Sequence, residues 1–322
     1  MIIKERQYLV KAKKLEALRR RLKQNHHQAT IIEHEYAKIL AGYRGEQSLN
    51  YFLSFLPQEQ FFIFHDLRLP SLQNEYFFQM DILLLSQQFF LIIEVKNIAG
   101  SVIYDPSNQQ LIQSHHDKET VYRDPFLQVQ RQKQQLYKWT EKANIAMSPP
   151  ISTLVILSNS QTLIKENASS QNLKLIRPDR LINKISEYEK MYKHEIISQK
   201  DIKKLSRQIL KGHIDEEYNV MQKFELTTKD LTPGIHCPKC SHLPMIRKRY
   251  SSICPQCKYE NNDVYLPSLQ DYYYLFGDTI NNPQLRSFLQ IPSRHSARRI
   301  FNKLNLPHNG NTKAATYTLP FD

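Results

Sequence analysis

A chain of 322 residues, 41% of them hydrophobic, carries enough apolar material for packed cores and for more than one domain, which excludes a disordered polymer. Its 44 lysines and arginines against 31 acids leave a net charge of +13, which favours a polyanionic partner, nucleic acid before membrane surface, over a basic protein without one. No apolar run reaches membrane-span length, Met1-Ile2-Ile3-Lys4-Glu5-Arg6 is no apolar leader, and seven glycines supply neither a P-loop nor a dinucleotide fingerprint; a cytoplasmic protein without a membrane partner is expected.

Residues 1–42 read as an N-terminal helical region. Leu9, Leu15, Leu18 and Leu22 fall near helical spacing, as do Ile32, Tyr36, Ile39 and Leu40, with a break around Asn25-His26-His27. Arg19-Arg20-Arg21 is either a solvated helix face or a phosphate contact. Arg44 to Leu56 is a further helical stretch, with Gly45-Glu46 near its start, where a helix dipole favours a carboxylate. Phe61 to Leu67 reads as the first strand.

Two apolar runs of strand length follow, Gln79 to Leu85 and Phe89 to Asn97, flanking Ser86-Gln87-Gln88 as a β-hairpin. Glu94 and Lys96 point to one face by strand alternation, and Asp81 reaches that face from the neighbouring strand. Charges buried in so apolar a setting are costly unless paired or bound to metal. An Asp followed by Glu-x-Lys on the adjacent strand is what metal-dependent phosphodiester cleavage needs. Asp81 and Glu94 would hold Mg²⁺, and Lys96 would stabilise the charged transition state or orient water. The other reading is a structural ion pair at a sheet end.

Ser101 to Gln113 predicts a further hairpin around Asp105-Pro106-Ser107-Asn108, and His115-His116-Asp117 a polar surface loop. Asp124 as N-cap and Pro125 at the first position open a helix to about Lys142. Ile151 to Leu157 is a strand buried on both faces, Leu173 to Ile176 a shorter one, and Pro178 opens a helical stretch to Lys211.

Gly45-Glu46, Gln79-x-Asp81, Glu94-Val95-Lys96-Asn97-x-x-Gly100 and Pro125-Phe126-Leu127-Gln128 together resemble the nuclease-related domain (NERD) family, over roughly Tyr43 to Leu157. The resemblance implies a restriction-endonuclease-like α/β core, a mixed sheet flanked by helices, and the order helix, three strands, helix, strand agrees with it. It also implies that Glu46 faces the active site, binding metal through water or positioning a second ion, and that Gln79 and Gln128 assist. Gln128 would orient water or a phosphate oxygen; a buried side chain satisfied by backbone is the alternative. The function implied is Mg²⁺-dependent hydrolysis of DNA, with RNA as a further substrate class. A non-catalytic DNA-binding or regulatory protein on the same scaffold is the alternative.

All four cysteines lie in one window, Cys237-Pro-Lys-Cys240 and Cys254-Pro-Gln-Cys257. Paired CxxC knuckles on a hairpin supply the four thiolates of a structural, tetrahedral Zn²⁺, and this stretch resembles a zinc ribbon. Arg247, Lys248, Arg249 and Lys258 give it a basic flank. In the tail, Asn282 to Leu289 and a helix capped by Ser293, followed by a turn and the strand Ala315 to Leu319, look like a helix-turn-helix with a wing. Arg294, Arg298, Arg299 and Lys303 would meet DNA; a solvated helical cap is the other reading. The organisation expected is a helical region 1–42, a nuclease-related domain with helical extension 43–212, a linker 213–234, a zinc ribbon 235–262 and a winged-helix-like module 263–322.

Overall fold

The computed structural model describes residues 1–71, 76–142, 149–165, 175–248, 251–310 and 314–321. Its elements run β1 (Ile2–Lys4), α1 (Val10–Arg21), α2 (Ala29–Gln47), α3 (Leu49–Leu53), β2 (Phe62–Pro70), β3 (Phe77–Leu85), β4 (Phe90–Lys96), β5 (Ser101–Asp105), β6 (Gln110–His115) and β7 (Lys118–Arg123). Then come α4 (Pro125–Lys142), β8 (Ile151–Leu157), β9 (Leu163–Lys165), β10 (Leu175–Ile176), α5 (Leu181–Met191), α6 (Gln199–Gly212) and α7 (Val220–Lys223). The remainder holds β11 (Ile246–Arg247), β12 (Ser252–Ile253), β13 (Glu260–Asn261), α8 (Leu266–Phe276), β14 (Thr279–Asn281), α9 (Asn282–Leu289), α10 (Arg294–Lys303), β15 (His308–Asn309) and β16 (Thr316–Thr318). The class is mixed α/β, with helices flanking mixed sheets. Two units result: Met1–Gln7 with Ala41–Glu216, and Tyr8–Leu40 with Glu217–Asp322.

The first unit is built on a six-stranded sheet in the order β1-β2-β3-β4-β8-β10. β2, β3 and β4 form antiparallel neighbours, and β4, β8 and β10 run parallel. Strands buried on both faces favour apolar residues at successive positions, as in Phe90–Ile93 of β4 and Leu154–Leu157 of β8. One face packs Ile82, Leu84, Leu91 and Ile93 against Leu49 and Leu53 of α3 and Leu181, Ile185 and Tyr188 of α5. The other packs Leu83, Leu85, Phe90 and Ile92 against Leu136 of α4 and Ile202, Leu205 and Ile209 of α6. The expected hairpin Gln79–Asn97 is therefore the centre of this sheet.

Two expectations change here. Phe61 to Leu67 is not the first strand: the short β1 lies parallel to β2, pairing Ile2 with Ile63. Three residues are too few to show alternation in sequence. The 101–113 hairpin extends to a second sheet, β7-β6-β5-β9, and His116 and Asp117 form a tight turn at φ 50° and 56° between β6 and β7. Of the strand expected at Leu173–Ile176, Leu173 and Lys174 lie outside the described residues.

In the second unit, Leu15 and Leu18 of α1 and Ile32 of α2 pack with Tyr218, Val220, Met221, Phe224, Leu226 and Leu231. The last six fall in the stretch expected as a linker, 213–234, which from Tyr218 on contributes side chains to a core while residues 214–217 are exposed. A separate core joins Cys237, Met245 and Cys254 to Leu269, Leu285, Ala297, Ile300 and Phe301. The cysteine ribbon and the three helices after it therefore share one apolar interior. β14, β16 and β15 form an antiparallel sheet beside α9 and α10. Asn281 caps α9 and Ser293 caps α10.

The arginine run of α1 is neither a free face nor a phosphate contact. Arg19 pairs with Glu33, and Arg20 and Arg21 both pair with Asp271 of α8. Arg21 is fully buried, donates through Nη1 to the Gly234 carbonyl at 3.1 Å and stacks over Phe288. Asp271 also faces His236 at 3.0 Å. Removing a partner from a buried ion pair strands the other charge. Asp271→Ala is therefore expected to cost the second unit about 3–5 kcal/mol, read as a lower urea midpoint. Arg20→Ala, which leaves Arg21 paired, should cost about 1 kcal/mol or less.

Candidate functional site

Glu94 sits near the end of β4, only 3% exposed. A buried carboxylate must be met by donors, and three side chains meet it. Lys96 Nζ donates to Glu94 Oε1 at 2.6 Å, Gln128 Nε2 to the same oxygen at 2.7 Å, and Gln132 Nε2 to Oε2 at 3.0 Å. Lys96 Nζ also donates to Gln128 Oε1 at 3.1 Å. Gln128 and Gln132 stand one helical turn apart on α4, so both reach the sheet. The helix is aimed by its start: Asp124 Oδ1 accepts from the Phe126 and Leu127 amides at 2.7 and 3.2 Å, as its place before Pro125 foretold. Gln128 is thus satisfied by Glu94 and Lys96 and not by backbone.

Asp81 lies on the adjacent strand. The β3–β4 ladder ends at Ile82 paired with Ile93, and one residue on, Asp81 Oδ2 accepts from the Val95 amide at 2.8 Å. The carboxylate takes the place of a ladder bond. Burial, then the charges of Glu94 and Glu46, push the Asp81 carboxyl well above the usual range, against the Val95 amide and Lys96. Gln79 takes a different part. Its carbonyl accepts from Gln132 Nε2 at 2.8 Å, and its side chain reaches Asp66 at 3.4 Å. The structure brings Asp81, Glu94, Lys96 and Gln128 to the α4 face of the sheet, with Gln79 braced behind them.

The helix start expected at Gly45-Glu46 is a correction: Glu46 stands at a helix end. It lies in the last turn of α2, because Gly45 does not start a helix but lies within one. The dipole there opposes a carboxylate. Arg6 supplies the compensation. Its side chain, 2% exposed, pairs with Glu46, lies 3.7 Å from Asp66 and 2.9 Å from His65 Nδ1. Burial and Asp66 still raise the Glu46 carboxyl to about 8, with Arg6 opposing. Burial, Arg6 and Lys4 push His65 down to about 4, so it is a neutral acceptor for the guanidinium. Asp66 itself sits at φ 49°, and the β2–β3 ladder pairs His65 with Ile82 and Leu67 with Met80 but skips Asp66 and Asp81 between them. Aspartate tolerates this left-handed backbone better than most residues. Arg6, Asp66, His65 and Gln132 were missed from sequence. Only Gln132, four residues after Gln128, carried a readable signal.

Gly45 explains the close approach of α2. A Cβ there would stand 2.6 Å from both Asn97 Cβ and Ser158 Oγ. Asn97 Nδ2 also donates to the Ala41 carbonyl at 2.7 Å, so the residue after Glu-x-Lys ties α2 to the end of β4.

Residues fit a divalent cation beside Asp81 and Glu94 on two grounds. Asp81, Glu94 and Glu46 repel one another without one, and Gln132 Oε1 is buried without a hydrogen-bond partner. The cysteines form a clearer set: all four sulfurs lie within 4.8 Å of one another, with Cys237–Cys257 at 3.6 Å and Cys240–Cys254 at 3.5 Å, and none is in a disulfide. Sulfurs bound at about 2.3 Å to a tetrahedral zinc stand ~3.8 Å apart, so the cluster is sized for that ion. Among the described residues no other group of three or more His, Cys, Asp or Glu is drawn so close. Arg249 lies outside the described residues. Arg294, Arg298 and Arg299 are exposed on α10, and Lys303 stands 3.4 Å from Asp263.

Residues 41–158 match the family model of the nuclease-related domain. No curated protein and no solved structure gives a significant match to the chain.

Two outcomes test this geometry. Gly45→Ala must displace Asn97 or Ser158 and is expected to cost about 1–3 kcal/mol, measured by chemical unfolding. Cys240→Ser is expected to abolish zinc retention, measured by metal analysis of the purified chain, and a chelator should lower the melting temperature of the wild type but not of this variant.

Proposed function

We propose that the nuclease-related domain hydrolyses phosphodiester bonds of DNA with the help of a divalent metal, Mg²⁺ in the first instance. The observation that carries this reading is the hydrogen-bonded group of buried Glu94 and Gln132 with half-buried Lys96 and Gln128, beside the raised carboxyl of Asp81. A purely structural ion pair needs neither the two glutamines nor a second, repelled carboxylate. Asp81 and Glu94 would hold the ion, which supplies charge stabilisation and an activated water when bound.

The chain's own groups take definite parts. Lys96 Nζ has three donors and uses two, on Glu94 and Gln128, leaving one for a phosphate oxygen. Gln132 Oε1 offers an unused acceptor that orients water. Glu46, held by Arg6 and with its carboxyl raised to about 8, would take or give a proton at the far side, and Gln79 holds Gln132 in place. The net reaction adds one water: its oxygen bonds to phosphorus, the bridging P–O bond breaks, and the leaving oxygen ends protonated. The sheet with helices on both faces is read as a restriction-endonuclease-like core. The cysteine ribbon is read as a zinc ribbon, and α8–α10 with β14–β16 as a winged-helix-like module that presents Arg294 and Arg298 to nucleic acid. Four unpaired thiols suit a reducing, cytoplasmic setting.

The test is cleavage of labelled duplex and single-stranded DNA with Mg²⁺, Mn²⁺ or EDTA. Metal-dependent cutting is expected, reduced by about 100-fold or more in Asp81→Ala and in Lys96→Ala. Binding without cutting, equal in all three proteins, overturns the hydrolytic reading in favour of a non-catalytic DNA-binding protein. Arg6→Ala, outside the matched segment, is expected to lower activity by about tenfold or more through a displaced Glu46, and Arg6→Lys to restore part of it.

A further inference from the structure

We propose that the cleft between the cysteine ribbon and α10 is a binding site for one strand of nucleic acid, with backbone phosphates held by Arg247 and Arg299. The proposal rests on the reading that the partner is nucleic acid, and it is independent of cleavage.

The cleft has a volume of about 400 Å³. Arg247 and Lys248 line it from the ribbon, and Arg299 and Lys303 from α10. Ser296, Arg299, Ile300 and Lys303 are spaced three and four apart, so a single face of α10 forms one wall. Buried Ile300 gives it an apolar floor. Lys248 is paired with Glu260 at 2.9 Å and Lys303 faces Asp263 at 3.4 Å. Arg247 and Arg299 are exposed, and among the described residues neither has an acidic partner. Two unpaired guanidinium forks are suited to phosphate, which they bind in bidentate fashion. The half-buried Tyr265 lines the same cleft, where an aromatic ring would stack with a base under the proposal.

Size bears on the ligand. A volume of this order takes a small ligand, about a nucleotide or two. The walls are held at fixed spacing, because Met245 and Cys254 behind the ribbon and Ile300 and Phe301 of α10 belong to one core. α10 thus divides its charge. Arg299 and Lys303 face the cleft, while Arg294 and Arg298, one turn apart, do not line it. A helix docked alone into a major groove gives no part to Arg247.

The experiment is fluorescence anisotropy with a labelled 12-nucleotide oligothymidylate and a duplex of equal length. The full chain carries Asp81→Ala and no divalent metal is added. Arg247→Ala and Arg299→Ala are each expected to weaken single-strand binding about fivefold and to lower the salt slope by about 0.7. Tyr265→Ala should weaken it by a similar factor with the slope unchanged. Lys203→Ala, on the exposed face of α6, should change neither. Zinc content and melting temperature equal to the parent show that each variant is folded. Affinity that ignores Arg247 and Arg299, or falls no more than in Lys203→Ala, overturns the proposal. So does displacement of the oligonucleotide by polyglutamate as readily as by unlabelled strand, which would mark an acidic-protein site. A chain that binds through the cleft and cuts nothing overturns only the hydrolytic reading. A chain that cuts with affinity indifferent to these residues overturns only the cleft.

Discussion

The burial of one carboxylate, Glu94, constrains the first unit more than any other interaction. At 3% exposure it cannot rely on water, so its oxygens are met by an ammonium and two amides. That demand fixes the geometry around it. β4 must keep its register, because a slip of one residue would turn Glu94 into the face filled by Leu91 and Ile93. α4 must begin where Asp124 caps it, or Gln128 and Gln132 would point elsewhere. β3 must end its pairing at Ile82 so that Asp81 reaches the Val95 amide. A polar group of this kind is stable only when every member is placed, which makes local structure and site chemistry one constraint.

The acids nevertheless outnumber the bases at this end of the sheet. Asp66, Asp81, Glu46 and Glu94 face Lys96 and Arg6, and Arg6 comes from outside residues 41–158. The short β1 brings it there by pairing with β2. A guanidinium suits the place because it stays charged when buried and spans two carboxylates and an imidazole at once. Arg6 opposes the repulsion at Glu46 without removing it, and burial with the charges of Glu94 and Glu46 raises the Asp81 carboxyl against only the Val95 amide and Lys96. A cation beside Asp81 and Glu94 would offset that charge.

Strong local patterns were readable in the sequence. The two apolar runs around Ser86, the Asp124-Pro125 helix start and the spaced cysteines each announce themselves within about a dozen residues, where periodicity, capping and ligand spacing operate. What was hidden depends on contacts between distant segments. Three residues of β1 show no alternation, so Arg6 looked like one more charge in a basic stretch. Gly45 suggested a helix start, yet it permits a helix to lie against Asn97 and Ser158, a fact about space and not about propensity. Asp66 lies inside a run read as a strand, and only the pair skipped beside Asp81 reveals its left-handed backbone. The stretch 213–234 is polar on average, but Val220, Met221, Phe224 and Leu231 suffice to anchor its later part in a core. Arg21 was the reverse case: a charge in a run, assigned to solvent by its neighbours, was drawn inside by Asp271 some 250 residues away.

Size accounts for the second unit's construction. A ribbon of under thirty residues and a tail of about sixty each bury too little apolar surface to stand well alone. Merging their interiors, with Cys237 and Cys254 among the buried residues, lets the four-cysteine cluster and one apolar core brace each other. The shared core also decides what the surface can do. Had the ribbon been tethered loosely, Arg247 and Arg299 would be two independent cations, each offering a weak and heavily screened attraction. Lining one cleft on a shared core, they would present two forks to the same strand at once under the proposal, and ordering them would cost the complex little entropy. The charge of +13 is then more than a general affinity for polyanions. Part of it is arranged, and the arrangement comes from an apolar interior that touches none of the charges.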